Sequence, residues 1–204
     1  LDANLRRQMR VELTELQSEL DTTIIYVTHD QVEAMTMADR IAVLRDGKAE
    51  QVGEPLSVYN KPDTMWVAQF LGDPGMNTIQ ATVKKNNILL TDKKYRLSEF
   101  SLNDGSLPAI GGSVMVGVRP ENVVIDERSD MVGEITAIEQ VGDSTIVHLE
   151  TGTQQYQAQI EAKNMSGRIG DTVPIGLDER IHFFEPGGNV CARVLNGGPW
   201  YGEQ

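Results

Sequence analysis

The sequence predicts two parts of different architecture, a piece of an α/β domain in residues 1–75 and an all-β domain in residues 76–204. In the first part, an amphipathic helix pattern runs directly into a short apolar strand, which is typical of α/β folds. The second part has short β-type runs every 8–12 residues, separated by Gly, Asn, Asp and Pro. This spacing indicates a small barrel or sandwich rather than alternating βαβ units. The pattern changes at GDPGMN, residues 72–77.

The composition is that of a globular protein, with 204 residues of which 40% are hydrophobic and 24% charged. A formal net charge of −12 argues against sequence-independent binding to nucleic acid and against adhesion to anionic membranes. The single cysteine, Cys191, excludes an internal disulfide, and its apolar surroundings favour a core residue over a nucleophile. The chain begins without Met and within a helix pattern, so we expect it to be part of a longer protein.

The predicted N-terminal helix has its apolar side chains at steps of three and four, which places them on one face. They are Leu5, Met9, Leu13, Leu16 and Leu20. The run TTIIYVT, residues 22–28, is nearly all apolar, so we expect a strand buried on both faces of a parallel sheet. Too few strands are present to complete such a sheet. We therefore expect this part to be repaired by a partner chain or to be less ordered than the β domain.

Further elements are predicted between that strand and residue 75. A helix follows Asp30, and Asp30 and Glu33 have the spacing of an acidic capping box. Two β-type runs on either side of Asp46-Gly47 predict a tight hairpin. Two short helices come next, separated by Pro62 and ended by Gly72.

His29 lies between the predicted strand and the helix that follows it. In open α/β sheets, ligands bind beyond the carboxyl ends of the strands, and phosphates bind at helix N-termini. This position makes His29 a candidate for contacting a phosphate group. Position alone leaves the alternative open that His29 is packed in the core or half exposed in a loop.

One long segment, VTHDQVEAMTMADRIAVLRDGKAEQVGEPLSVYNKPDTMWVAQFLGDPGMN, closely resembles the C-terminal part of the nucleotide-binding subunits of ABC importers. It is most similar to the sugar-importer branch, the relatives of the maltose importer ATPase. The resemblance continues through GVRPENVVI, QVGDSTIVHLE and IHFFEPGG, and so covers nearly the whole chain. It implies that residues 1–75 are the C-terminal piece of a P-loop ATPase domain and that residues 76–204 form an OB-like regulatory barrel.

The resemblance also implies roles for two residues and a set of partners. His29 matches the switch histidine, which hydrogen-bonds the γ-phosphate of ATP and positions the attacking water. Asp2 matches the end of the D-loop, which crosses the dimer interface; considered alone, Asp2 is a helix cap. The complete subunit is expected to use ATP and Mg²⁺, to form a homodimer, and to lie in the cytoplasm against membrane-spanning permease subunits. A regulatory protein is a further expected partner, whereas nucleic acid is not.

Several motifs of the ATPase family are missing from this sequence. It contains neither a G-x-x-x-x-G-K-[ST] loop nor an LSGGQ-type segment, and the Walker B strand is expected to precede Leu1. Phosphoryl transfer depends on positioning around the phosphates and Mg²⁺, so we expect the chain alone neither to bind nor to hydrolyse ATP. Its own role is then expected to be dimerisation and regulation of an importer ATPase.

The β domain contains no convincing catalytic constellation. His148 and His182 each lie in a strand pattern, as surface or core residues, and we expect no metal site. Arg119-Pro120-Glu121 is expected to be a structural turn with an Arg–Glu pair. The alternative function is the sensing of small oxyanions, as in related domains of molybdate-type importers. The backbone donors for an oxyanion would lie in residues 111–113 (GGS) and 165–168 (MSGR).

Overall fold

The computed structural model describes residues 3–20, 22–85, 87–90, 93–96, 102, 104–127, 129, 131–152 and 154–200. The chain divides into two compact units, Leu1–Pro62 (the N-terminal unit) and Asp63–Gln204 (the β unit). This division precedes the predicted change at 75/76, because the short helix before residue 75 packs on the strands that follow it. The family resemblance, and not the packing, assigns residues 63–75 to the ATPase part. That assignment stays a prediction.

The N-terminal unit is mostly helical, with one hairpin. It contains α1 (Ala3–Leu20), α2 (Gln31–Met37), β1 (Ile41–Arg45), β2 (Lys48–Gly53) and α3 (Pro55–Asn60). The hairpin confirms the prediction from Asp46-Gly47, since their φ angles of 49° and 77° are the two positive values of a type I′ turn. In the described part of the chain, no helix combines the length and the apolar character that a membrane span needs.

The predicted strand at residues 22–28 is not formed, and this prediction was wrong. The side chains of Ile25 and Val27 are 88% and 87% exposed, and the apolar face of α1 is also largely exposed. A strand needs partners for its N–H and C=O groups, and the two strands of the hairpin pair only with each other. Among the described residues, the apolar run therefore has no sheet to join.

In the described residues, the β unit consists of one α-helix followed by antiparallel strands, with short 3₁₀ helices at Pro120–Asn122 and Ala162–Asn164, which confirms the all-β prediction. Its elements are α4 (Met65–Phe70), β3 (Asn77–Lys84), β4 (Asn87–Leu90), β5 (Lys93–Arg96), β6 (Asp104–Gly105), β7 (Ser113–Val118), β8 (Val123–Ile125), β9 (Met131–Val141), β10 (Ser144–Thr151), β11 (Gln154–Glu161), β12 (Thr172–Phe184) and β13 (Val190–Trp200). The strands follow the order β11-β10-β9-β12-β7-β3-β4-β5, with β8 and β13 also paired to β12.

The long strand β12 organises this sheet. Its first half pairs with β9 and β8, and its second half pairs with β7 and β13. The runs TVPIGL and IHFF, whose β-type patterns would predict two separate strands, are therefore parts of a single strand of 13 residues. Register shifts against β13 occur at Leu177/Glu179 and Glu179/Ile181, and such bulges bend a strand without ending it.

The hydrophobic core lies inside the β unit. Its largest fully buried side chains are Tyr156, Phe183, Phe184, Ile79, Ile88, Met131, Ile135, Leu149 and Ile175. The edge strand β11 is tied back to β3 by a side-chain amide. Asn77 Nδ2 donates to the Gln157 carbonyl at 2.8 Å, and Asn77 Oδ1 accepts from the Gln157 N–H at 2.7 Å. This amide takes the place of a backbone partner at the edge.

Arg119 fixes α4 to the strands. Its Nη1 donates to the Ala68 carbonyl at 2.8 Å and also to the Leu71 carbonyl, near the C-terminal end of the helix. Ala68 packs in turn against Met76 and Phe184. The Arg-Pro-Glu segment thus has a structural role, and these contacts place α4 in the β unit.

Candidate functional site

His29 lies in the short segment before α2, and its side chain is exposed. The next residue, Asp30, caps the helix. Its Oδ1 accepts from the backbone N–H groups of Val32 at 2.8 Å and Glu33 at 3.2 Å, and its carbonyl accepts from the N–H of Ala34 at 3.1 Å. The helix start predicted at Asp30 is confirmed, and the residue after His29 is fixed to that helix.

Glu33 holds the residues before His29. Its Oε2 accepts from the Thr28 hydroxyl at 2.7 Å and from the Tyr26 hydroxyl at 3.0 Å. Thr28 Oγ1 accepts from the N–H of Asp30 at 2.9 Å. The predicted capping box is therefore only half formed: Asp30 caps the helix, but Thr28 takes the place expected of Glu33 on the Asp30 N–H.

The capping-box spacing predicts that Glu33 belongs to the helix start, and it does not predict the bonds of Glu33 to Thr28 and Tyr26. The signal that could have found them is the alternation of Tyr26 and Thr28, which puts both hydroxyls on one side of an extended segment. The hydrogen bond to Glu33 is the largest cause that raises the pKa of Tyr26 above 10.0, followed by desolvation and by the charges of Glu33 and Asp30.

The chemical capacity of this segment follows from its fixed ends. An exposed imidazole can donate or accept a hydrogen bond to a ligand, while its backbone is restrained by Thr28 and Asp30. Asp2, the predicted D-loop residue, lies outside the described residues. Among the residues that the structure describes, no three His, Cys, Asp or Glu side chains are grouped so that they could hold a metal ion.

His148 is partly exposed on the outer face of β10. Its Nε2 lies 2.6 Å from Glu139 Oε1. It borders a cleft of about 330 Å³, which is also lined by Asn77, Thr136, Ala137, Leu149, Gln155, Tyr156 and Gln157. Several polar groups of this cleft already bond one another, as Asn77 does with Gln157 and as the Thr136 hydroxyl does with the His148 carbonyl at 3.3 Å. His148 is thus a surface residue.

His182 is a core residue, with only 1% of its surface exposed. Burial lowers the pKa of His182 from 6.5 to about 3, and the positive charges of Arg193, Arg119 and Arg180 add to this effect. Arg193 is itself buried, and its Nη2 lies 3.5 Å from Asp63 Oδ1. A neutral imidazole therefore lies among positive charges inside the β unit.

The two segments considered for oxyanion binding use backbone donors internally. The N–H groups of Gly111 and Gly112 donate to the carbonyls of Val83 and Ala109, both at 2.8 Å. The N–H of Met165 donates to the Ala162 carbonyl at 3.3 Å.

The N–H of Arg168 donates to Asp171 Oδ2 at 2.8 Å. The Asp171 carboxylate therefore already accepts the hydrogen bond that this N–H could have donated to an oxyanion. At these four positions, neither segment offers a free donor to an oxyanion.

Comparison with known proteins finds two domain models that match this chain. The model of the MalK OB fold domain matches residues 72–123, and the model of the TOBE domain matches residues 116–184. The chain is 38% identical to the lactose transport ATP-binding protein LacK of Rhizobium radiobacter over 190 residues, which are 90% of this chain and 52% of that protein. It is 38% identical to the maltose/maltodextrin import ATP-binding protein MalK of Vibrio vulnificus, over 96% of this chain and 54% of that protein.

A further importer protein and one solved structure are also similar to this chain. The sn-glycerol-3-phosphate import ATP-binding protein UgpC of Bordetella parapertussis is 38% identical over 91% of this chain and 52% of that protein. A solved structure of the cytoplasmic molybdate-binding protein ModG, at 16% identity over 58% of this chain and 95% of that chain, has a TM-score of 0.38 and carries no argument.

The chain spans about half the length of the curated relatives it matches. Both domain models fall in the β unit and confirm its predicted OB-like class. The similarity to MalK of Vibrio vulnificus covers 96% of this chain and therefore reaches well beyond the two domain models. The chain therefore belongs to the family of ATP-binding subunits of ABC importers, in the branch of the sugar importers.

Proposed function

We propose that this chain is part of the ATP-hydrolysing subunit of an ABC importer for sugars or related solutes, and that its β unit serves dimerisation and regulation. The observation that supports the proposal is 38% identity to ATP-binding proteins for lactose and for maltose over at least 90% of the chain. The match covers 52–54% of those relatives, and the loop that binds the phosphates would lie in the remainder of the complete subunit. ATP and Mg²⁺ would bind the complete subunit rather than these residues alone.

His29 would act as the switch histidine that contacts the γ-phosphate and positions the attacking water. A catalytic group of this kind needs a free side chain on a backbone that does not move. The exposed imidazole of His29, between hydrogen-bonded neighbours, is consistent with that requirement. Asp2 would lie at the end of the D-loop and approach the phosphate site of a second copy.

The partners follow from the same proposal. The complete subunit would form a homodimer and would bind the permease subunits from the cytoplasmic side, as a peripheral component of the membrane. The β unit has a hydrophobic core of its own, so it can join two subunits while their ATPase parts separate. It would also be the surface for a regulatory protein.

The test uses the complete subunit, assembled with its permease in vesicles. His29→Ala is expected to lower ATP hydrolysis by about 100-fold or more, because a group that stabilises the transferred phosphoryl is lost. His148→Ala is the matched control, since it removes a histidine from the β unit, and it should leave hydrolysis unchanged. Full activity of His29→Ala would show that the role assigned to His29 is wrong.

A second experiment addresses the 204-residue chain itself. Sedimentation equilibrium is expected to show a dimer, and calorimetry is expected to show no ATP binding. A strict monomer up to millimolar concentration would contradict the role in dimerisation, and submillimolar ATP binding would contradict the placement of the phosphate loop elsewhere.

A further inference from the structure

We propose that Glu33 is a positioning residue, whose carboxylate sets the conformation of the segment that carries His29. This inference rests on the proposed function of His29 and adds a residue to it. It assigns to Glu33 a task other than helix entry, and it includes Thr28 as the residue through which Glu33 acts.

Two hydroxyl groups converge on one oxygen atom of the Glu33 side chain. Thr28 and Tyr26 both donate to Oε2 of Glu33, at 2.7 and 3.0 Å. Hydrogen bonds to an ionised carboxylate are roughly twice as strong as those between neutral groups. The carboxylate thus fixes two side chains of an extended segment that has no strand partner in the described part of the chain.

These bonds also close a ring around His29. The Glu33 carboxylate accepts from Thr28, and Thr28 Oγ1 accepts from the N–H of Asp30 at 2.9 Å, across His29. The carboxylate of Asp30 then accepts from the backbone N–H of Glu33 at 3.2 Å. The ring therefore starts at the side chain of Glu33 and closes at the backbone N–H of the same residue. It restrains the backbone of His29 and leaves the His29 side chain exposed.

The bonds of the Glu33 carboxylate differ from those that ordinarily stabilise a helix start. Asp30 alone supplies the side-chain cap of α2, through Val32 and Glu33. The Glu33 carboxylate points away from the helix N–H groups and towards residues that precede His29. A residue needed only for helix entry would not have to bond Thr28 and Tyr26.

The first test uses the 204-residue chain and measures amide exchange at Asp30 and the pKa of Tyr26, which both depend on the hydrogen bonds of the ring. Thr28→Val removes the hydroxyl at nearly constant shape, and amide exchange at Asp30 is expected to become about tenfold faster. Thr28→Ser keeps the hydroxyl and should stay within about twofold of the parent. Glu33→Gln is expected to lower the pKa of Tyr26, read from its ring signals by NMR, towards the ordinary value.

Glu54→Gln is the matched control for Glu33→Gln. It removes the same charge from the same unit at a residue whose side chain makes no capping hydrogen bond. It should change neither the exchange at Asp30 nor the pKa of Tyr26. The proposal is overturned if Glu33→Gln leaves both signals as they are in the parent.

The second test measures ATP hydrolysis by the complete subunit with its permease. Glu33→Gln and Thr28→Val are expected to lower kcat about tenfold with less than a twofold change in KM for ATP, because the nucleotide is held elsewhere. Thr28→Ser should retain the parent kcat, because it keeps the hydroxyl that donates to Glu33.

The outcomes separate the two proposals. If His29→Ala abolishes hydrolysis while Glu33→Gln and Thr28→Val retain full kcat, only the positioning role is overturned. If His29→Ala itself retains full kcat, the proposed function of His29 and the inference built on it are both overturned. Loss of kcat in Thr28→Val with recovery in Thr28→Ser supports the positioning role even if Glu33→Gln proves poorly folded.

Discussion

The two units of this chain contain similar apolar, β-branched runs, yet the run at residues 24–27 of the N-terminal unit is exposed whereas the runs of the β unit are buried. Ile25 and Val27 in the N-terminal unit are 88% and 87% exposed, whereas Ile135 and Val147 in the β unit are 0% exposed. The difference lies in where the partner strand comes from. β9 and β10 are neighbours in sequence and pair antiparallel, whereas a parallel strand needs partners from distant parts of a chain. An apolar run therefore becomes a strand only where its partner is available.

The largest difference between the two units is expected when one apolar side chain in each is truncated to alanine. Phe183→Ala should lower the free energy of unfolding of the β unit by about 4 kcal/mol, because it leaves a cavity in the core. Val27→Ala should change stability by less than about 0.5 kcal/mol. Urea unfolding followed by circular dichroism measures both. A cost above about 1 kcal/mol for Val27→Ala would reveal that a second copy covers this residue.

The second prediction concerns the pH dependence of stability that results from the buried His182. The pKa of His182 is lowered from 6.5 to about 3, so the unfolded chain binds a proton between these values that the folded unit does not. The stability that His182 contributes is complete above pH 6.5 and is lost as the pH falls towards 3. We expect a loss of about 2 kcal/mol between pH 6.5 and 4.5.

Urea unfolding at pH 7, 5.5 and 4.5 measures this slope. His182→Phe should flatten it, because the phenyl ring cannot bind a proton. His29→Gln, at the exposed histidine of the N-terminal unit, should leave it unchanged. An equal slope in His182→Phe and in the parent protein would contradict the assignment.

The third prediction compares a buried arginine with an exposed one. Arg119→Met removes the donor to the Ala68 and Leu71 carbonyls, and should cost the β unit about 2 kcal/mol. Arg45→Met removes ion pairs at 3.7 and 3.9 Å from a side chain that is 46% exposed, and should cost less than about 1 kcal/mol. Unfolding in urea gives the cost, and faster amide exchange in α4 would locate it. Equal costs for the two variants would contradict the anchoring role of Arg119.

The smallest expected effect is at the hairpin turn of the N-terminal unit. Gly47 has φ 77° with no atom within 4 Å of an added Cβ, so Gly47→Ala meets backbone strain alone and should cost about 1 kcal/mol. Gly47→Asn should cost less, because Asn tolerates positive φ. Amide exchange of β1 and β2 measures both. Equal exchange in the two variants would show that strain at this φ does not control the hairpin.

Much of the fold could be predicted because the elements concerned are stabilised locally. The Asp46-Gly47 turn and the short helices around Pro62 depend on a few neighbouring residues, and the structure confirms them. In the β unit the predicted β-type runs became strands, two of them within the single strand β12, whereas the strand predicted at residues 22–28 did not form. The strands β5 and β6 were missed because the apolar pattern is weak in them and their pairing with β4 and β13 makes them strands.

The candidate site was predictable to a similar degree. The junction of apolar run and helix start, together with the family resemblance, pointed to His29. The ring through Glu33, Thr28 and Tyr26 was not predicted, because it requires the first turn of α2 to direct a carboxylate back onto the preceding segment. That direction depends on the angle between helix and segment, which no local pattern encodes.

By itself, the sequence determined the family, the antiparallel class of the β unit, the hairpin turn and the identity of the candidate histidine. These follow from residue order and from contacts within a few positions. Tertiary structure alone decided that the run at residues 22–28 stays unpaired, that β12 continues through its bulges, and that His182 is buried beside Arg119 and Arg193. Each of these depends on which distant segment supplies the missing hydrogen bond, apolar surface or charge, and only the folded chain brings those segments together.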